Sequence, residues 1–275
     1  MIKGKLLRFL KYIVTILGMI LFALPLILVI INSFKTKAEI MTSAIAMPSS
    51  FNLENYREIM TDSNFLTSFL TSIFVVAVTT SLTLLISAIT GYALARWESR
   101  FSKILLIVIM TTLFVPFQVY MVALIVIVKN INLIGNLFGL IIVYIALGMP
   151  VPIFLCRSYC IGLSQDIEEA AIIDGCSRIK MIGVVILPLM RPILATVAVL
   201  NALWVWGEFL VAFLVYGSGK PMTLPLSQRY FFGTYSNQWN LILTNFLISS
   251  IPIIILYILM QKNIIKGIVA GAIKG

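Results

Sequence analysis

The sequence contains no histidine, and only 11% of its 275 residues are charged. Without imidazole there is no His-based general acid or base, no imidazole metal ligand and no Ser-His or Cys-His nucleophile pair. Membrane-embedded enzyme chemistry is disfavoured further by the lack of clustered acids. The scarcity of charge excludes an ordinary soluble domain, in which about a quarter of residues are charged. Only three cysteines occur, Cys156, Cys160 and Cys176, too few and too unevenly spaced for a disulfide framework. Cys156 and Cys160 are four apart and on a helix would share a face open to a soft metal, but no second ligand pair accompanies them. A phosphate-binding G-x-x-x-x-G-K-[ST] loop is also missing: in the stretch Gly217-Ser218-Gly219-Lys220-Pro221, Leu214 stands where the first glycine belongs. Basic residues exceed acidic ones, 20 to 10, yet no basic patch interleaved with aromatics points to nucleic acid.

What is present is apolar sequence. Hydrophobic residues make up 61% of the chain and its mean hydropathy is +1.08, so lipid is its solvent. Runs long enough to cross about 30 Å of hydrocarbon fall near residues 12–32, 68–95, 104–128, 137–157, 193–216 and 243–261. The fold class expected is all-α, a polytopic membrane protein of six transmembrane helices forming a single domain over residues 1–275. With both termini inside, segments 1–11, 96–103, 157–191 and 262–275 hold fourteen of the 20 Lys and Arg, as the positive-inside rule requires. The first run follows a basic stretch but is longer than a cleaved signal's apolar core, so it should stay as an anchor. Pro25 and Pro116 lie inside runs and predict kinks, although proline is common in membrane helices in any case.

Outside, residues 33–67 should fold as a small cap. A second outer loop, 217–240, carries Tyr230, Phe231, Phe232, Tyr235 and Trp239, either an interfacial aromatic belt or a contact for an extracellular partner. Inside, residues 161–190 are amphipathic and contain EEAAIIDGCSRIKMIGVVILPLMRP. Asp166 with Glu169 predicts a capping box, and Glu168 adds to an acidic first turn that suits the helix dipole. Gly175 predicts a left-handed end, with a second segment over 177–187 stopped by Pro188. Ala170, Ala171, Asp174 and Gly175 share a face, a narrow ridge suited to close approach by another protein. A helix lying on the bilayer surface is the alternative, but such helices carry basic and bulky apolar faces rather than acidic and small ones.

Glu208 is the one acidic residue inside an apolar run, where a carboxylate costs roughly 2.5 to 3.5 kcal/mol on insertion scales. With Asn201 and Trp204 it forms a stripe at helical period. Such a stripe either holds a sugar, by ring stacking and hydroxyl hydrogen bonds, or bonds a neighbouring helix. Gln118, after Pro116, either faces a cavity or satisfies backbone groups freed by the kink. A lone intramembrane carboxylate also leaves open an ion- or proton-coupled secondary transporter.

Glu169-Ala170-Ala171, Gly175, Val185, Leu187 and Pro188 match the E-A-A, three residues, G, nine residues, I-x-L-P pattern of permease subunits of ATP-binding-cassette importers, with Val185 in place of isoleucine. The chain resembles most closely the maltose-type carbohydrate uptake subfamily. The likeness includes Tyr92-Ala93-Leu94-Ala95-Arg96, Pro116 with Gln118, Asp174-Gly175 and the tail Ala270-Gly271-Ala272-Ile273-Lys274-Gly275. Trp206-Gly207-Glu208-Phe209 resembles that subfamily's W-N-E-F, with glycine for asparagine. The resemblance implies a non-enzymatic half of a heterodimeric pore in a bacterial membrane, importing a sugar or oligosaccharide by alternating access. Its implied partners are a second permease subunit, two ABC ATPase subunits and an extracellular solute-binding protein. ATP and Mg would sit on the ATPases and no cofactor on this chain. Residues 166–176 would be the coupling helix, with Glu169 meeting the ATPase and Gly175 allowing the turn. Tail residues 262–275, above all Ala270, Gly271, Lys274 and Gly275, would reach into the ATPase pair. Gly267, Gly271 and Gly275 also recur every fourth residue, a spacing used in helix packing.

Overall fold

The computed structural model describes residues 2–97, 99–217, 219–233 and 237–272. Among them there is no strand, and fourteen α-helices follow one another: α1 (Ile2–Ser33), α2 (Lys37–Thr42), α3 (Glu54–Thr61), α4 (Ser63–Arg96), α5 (Arg100–Thr111), α6 (Phe117–Asn130), α7 (Leu137–Gly148), α8 (Pro150–Ile161), α9 (Asp166–Ile173), α10 (Arg178–Met181), α11 (Leu187–Leu189), α12 (Arg191–Gly207), α13 (Leu224–Ser227) and α14 (Trp239–Ala272). Three stretches, Leu10–Ser33, Asn64–Arg96 and Trp239–Gln261, are each one helix long and apolar enough to cross a bilayer. Three bent pairs qualify if each is one span: α5 with α6 at 110°, α7 with α8 at 48°, and the 178–189 segment with α12 at 74°. Five of the six apolar runs coincide with these stretches; the other, 193–216, overlaps only α12, because the helix ends at Gly207 and the other arm of that pair, 178–189, falls in the segment expected inside.

The prolines behave differently from one another. Helices α1 and α14 continue uninterrupted through Pro25 and Pro252. At Pro116 the chain breaks, because Val115 before it is pushed to extended backbone, φ −91° and ψ 115°. Pro150 occupies the first position of α8, where its missing N–H costs nothing, and the bend there was not anticipated from the run 137–157.

The chain divides into two compact units. The first comprises residues 1–66 and 227–251. Its residues after α1, which include α2 and α3, are tied by polar side chains. Lys35, 1% exposed, donates to Asn32 Oδ1 and the Ser43 carbonyl, both at 3.1 Å. Asn55 donates to the Ser33 and Lys35 carbonyls at 2.9 Å and accepts from Asn240 at 2.8 Å. Helix α2 has a full capping box between Thr36 and Glu39, and Glu39 also accepts from Ser49. The hydrogen bonds from Ser49 and Thr36 hold the Glu39 carboxyl down at about 2.

The second unit comprises residues 67–226 and 252–275. One core joins Val75, Leu140, Tyr144, Val205, Ala212 and Val215. Another joins Ala88, Tyr92, Cys156, Cys160, Ala171, Met181 and Met190. Gly91 allows α4 and α8 to approach: a Cβ there would lie 2.6 Å from Cys156 Cβ and 2.8 Å from the Arg157 nitrogen. The two cysteines expected to share a face are buried free thiols in this core, and no metal-ligand cluster occurs among the described residues.

Candidate functional site

Two sites in the second unit gather the residues singled out from the sequence. The first is a cavity of about 950 Å³. Gln118, Asn201, Trp204 and Glu208 all line it, although Gln118 stands some eighty positions before the others. Three interruptions of helix converge on its wall: Val115 and Phe117 beside Pro116, Gly148 to Pro150, and Glu208. Backbone that leaves the helix in an apolar setting is tolerated where it borders a cavity.

The expected single-helix stripe is corrected in one respect. Helix α12 ends at Gly207, and Glu208 is already extended, φ −76° and ψ 113°. Glu208 Oε1 accepts from the Val211 N–H at 2.9 Å, so the carboxylate caps the turn that follows while its second oxygen has no protein partner among the described residues. Tyr144 Oη donates to the Glu208 carbonyl at 3.1 Å and its ring meets Trp204 edge-on at 5.6 Å. Asn201 Oδ1 accepts from Thr80 Oγ at 3.0 Å; its Nδ2 and the Trp204 ring lie 3.0 Å from where a Cβ on Gly148 would stand. The neighbouring Trp206 instead packs edge-on against Phe69 at 5.9 Å. An aromatic face, an amide and a carboxylate in a largely apolar cavity suit a polyhydroxylated ligand.

The second site is the elbow α9–α10. Gly175 has φ +82°, the left-handed turn expected of it. The capping box does not form: Gln165 is the N-cap and gives no side-chain bond. Asp166, one residue inside the helix, pairs instead with Ser164 Oγ at 2.8 Å, so its carboxylate is committed outside the first turn. Ser177 caps the restart through the Lys180 N–H. Pro188 does not stop it; it lies in the first turn of α11, which tolerates proline, and the chain turns at Met190.

The ridge of small residues divides. Ala171 is buried in the unit's own core, whereas Glu169, Ala170, Asp174 and Gly175 are exposed. Glu168 turns back to the end of α4: its Oε1 accepts from Arg96 Nε at 2.6 Å and its Oε2 from Tyr92 Oη at 2.8 Å. Arg96 Nη2 also donates to the Leu163 carbonyl at 2.9 Å. Two polar contacts thus clasp α9 to α4, and a third ties Arg96 to the turn before α9. Tyr92 and Arg96 were visible in the sequence only as a motif closing the second run. The large apolar side chains of the elbow were missed altogether: Ile173 and Ile179 are 84% and 86% exposed, far beyond what a helix packed within its own chain leaves bare.

Of the tail, Ala270 and Gly271 continue α14, while Lys274 and Gly275 lie outside the described residues. Ser218 and Tyr235 lie outside them too.

Residues 84–269 match the model of the binding-protein-dependent transport system inner membrane component family. The chain is 33% identical, over 96% of its length and 97% of the relative's, to the probable starch degradation products transport system permease protein AmyC of Thermoanaerobacterium thermosulfurigenes. It is 32% identical, over 97% of both chains, to the multiple sugar-binding transport system permease protein MsmG of Streptococcus mutans. Its fold is similar to a chain of a bacterial ABC transporter involved in the import of the acidic polysaccharide alginate, with a TM-score of 0.81, 21% identity and coverage of 94% and 97%. These relatives are transport subunits, and the ion-coupled alternative finds no support in them.

Proposed function

Because the chain belongs to the family of binding-protein-dependent transport system inner membrane components, a multi-pass membrane family, we propose that it is one half of the pore of an ATP-driven importer of a sugar or oligosaccharide. Its partners are a second permease subunit, a pair of ABC ATPases that carry ATP and Mg, and an extracellular solute-binding protein. Both termini and the α9–α10 elbow face the cytoplasm, in keeping with the distribution of Lys and Arg.

The observation that carries this reading is the convergence of Gln118, Asn201, Trp204 and Glu208 on one cavity walled by three helix breaks. Breaks give a span local freedom to rearrange, and polar groups beside them give cargo something to bind. The elbow supplies the drive. Ile173 and Ile179, with Glu169 and Asp174 between and beside them, form an exposed apolar and acidic surface suited to an ATPase cleft. The clasp through Glu168 passes displacement of α9 to α4. Ligand and nucleotide move the equilibrium only as far as they bind one conformation better than the other. The tail, with Ala270, Gly271, Lys274 and Gly275, is assigned to the ATPase pair on the resemblance alone.

The experiment is purification of the tagged chain from its native membrane in mild detergent, with mass spectrometry of the proteins and small molecules retained. Recovery of an ABC ATPase, a second permease and a carbohydrate is expected. Recovery of the chain alone, active in vesicles on a proton gradient with ATP clamped, would overturn it.

A further inference from the structure

A second cavity, of about 220 Å³, lies between the end of α4, the start of α5 and the end of α8. Arg96, Lys103 and Arg157 all line it, together with Ser102, Gln165 and Trp97, and among the described residues no carboxylate does. Arg96 is balanced by Glu168. Arg157 is half-buried and anchored by its Nε, which donates to the Leu94 carbonyl at 3.3 Å. Among the described residues neither Arg157 nor Lys103 has a carboxylate in ion-pair reach. Two cations with no carboxylate beside them among the described residues therefore share a small pocket, an arrangement whose repulsion an entering anion relieves.

The rim shows what kind of anion. Trp97 and Phe101, 59% and 60% exposed, face each other with ring centroids 5.9 Å apart at the end of a membrane span, the level at which aromatic rings border headgroups. A guanidinium fork and an ammonium suit phosphate oxygens. A basic pocket between spans, rimmed by aromatics, matches a lipid whose phosphate enters and whose chains remain alongside.

We propose that this pocket binds the phosphate of an anionic phospholipid through Lys103 and Arg157, next to the clasp that holds α9. The inference rests on the membrane reading of the chain and not on its cargo. A bound phosphodiester, with its single negative charge, accepts hydrogen bonds from both cations and reduces their mutual repulsion, leaving Arg96 to Glu168 and keeping the clasp intact.

The test uses the assembled transporter in nanodiscs of phosphatidylcholine with or without about one third phosphatidylglycerol, read by native mass spectrometry for retained lipid. Phosphatidylglycerol should be retained in preference. Retention should fall about fivefold for each of Lys103→Gln and Arg157→Gln, from the usual attraction of a surface cation for anionic lipid, and should survive Lys103→Arg. Arg100→Gln, which removes a cation outside the pocket, should leave it unchanged. Lys103 is exposed, so its replacement does not threaten folding. Repeating the series in Glu98→Gln removes the adjacent carboxylate, which lies outside the described residues. Equal losses for Arg100→Gln and Lys103→Gln, or no preference for phosphatidylglycerol, would overturn the site. Millimolar inorganic phosphate that shields a Gln165→Cys thiol from maleimide as well as phosphatidylglycerol does would assign the pocket to soluble phosphates and overturn the lipid. Lipid retention with no sugar import would instead remove the transport reading and leave the site standing.

Discussion

Lys35 and Arg96 are both cations withdrawn from water at the ends of long apolar helices, and the two units hold them by opposite means. In the first unit Lys35 meets only neutral oxygens, those of Asn32 and Ser43, inside a network that Asn55 closes. In the second, Arg96 meets the carboxylate of Glu168. Neutral acceptors arranged around a fixed ammonium make a knot that works only in one geometry, since each carbonyl must point inward. A carboxylate with two oxygens shared between a guanidinium and a phenol can keep its charge pairing while the partners shift. The knot suits a part that stays put, and the clasp suits one that moves and must remain attached.

The contrast is most sharply tested at Asn55. Asn55→Leu leaves the Lys35 carbonyl and the Asn240 amide without this partner, each worth about 1–3 kcal/mol when buried, and the Ser33 carbonyl with Thr244 alone. A loss of about 3 to 5 kcal/mol is expected, read as a large fall in Tm of the purified protein. A Tm shift under about 2 °C would mean that water satisfies the knot and that the first unit is not fixed by it.

For the clasp, Glu168→Gln and Arg96→Gln should each cost about 2 kcal/mol, between the values for exposed and fully buried pairs. Transport per ATP hydrolysed should fall several-fold while ATP hydrolysis continues. The swap Arg96→Glu with Glu168→Arg should recover part of the coupling. Equal losses of uptake and hydrolysis, with no recovery in the swap, would make the pair merely structural. Gly175→Ala, forced to hold φ near +82°, should cost about 1 kcal/mol and lower uptake, as should Glu169→Ala through the exposed face; normal uptake in both would remove the elbow from coupling.

At the cavity, Gly148→Val should press on Asn201 and Trp204 and raise the KM for uptake about tenfold, equivalent to roughly 1.4 kcal/mol, with coupling unchanged. A fall in coupling and no change in KM would exchange the roles of cavity and clasp.

The smallest effect concerns Glu39. Its folded carboxyl is held at about 2, below its ordinary value of 4.5. The stabilisation it gives α2 is therefore present above pH 4.5 and is lost as pH falls through about 2. Amide exchange at Ser49 should quicken over that interval while exchange at Asn55, whose knot is uncharged except for Lys35, holds steady. Parallel changes at both would mean that the cap opens as one piece.

Much of this was legible beforehand, and for identifiable reasons. Apolar run length located the three long spanning helices and two of the three bent pairs, because lipid demands length of every crossing. The left-handed turn at Gly175 followed from residue type. The stripe of Asn201 and Trp204 followed from helical period, but the stripe's end did not: nothing local distinguishes Gly207-Glu208 from continuing helix. The capping box at Asp166 and Glu169 fitted the spacing and failed because the helix starts one residue early, with Gln165 as N-cap and Asp166 already inside it, paired with Ser164. Ala171, judged part of an outward ridge, turned inward because its small side chain fits the core around Cys160 and Met181.

What the sequence by itself determined is the solvent and the repertoire: lipid around the spans, no histidine chemistry, an acidic elbow between apolar runs. Those follow from composition and from spacings of a few residues, which local geometry fixes. The tertiary structure alone decided that Gln118 joins Asn201, Trp204 and Glu208, that three helix breaks meet at one cavity, and that Glu168 grips Arg96 across 72 positions of chain. Contacts that distant depend on how helices pack against each other, and packing is set by the shapes of all the side chains at an interface rather than by any one stretch of them.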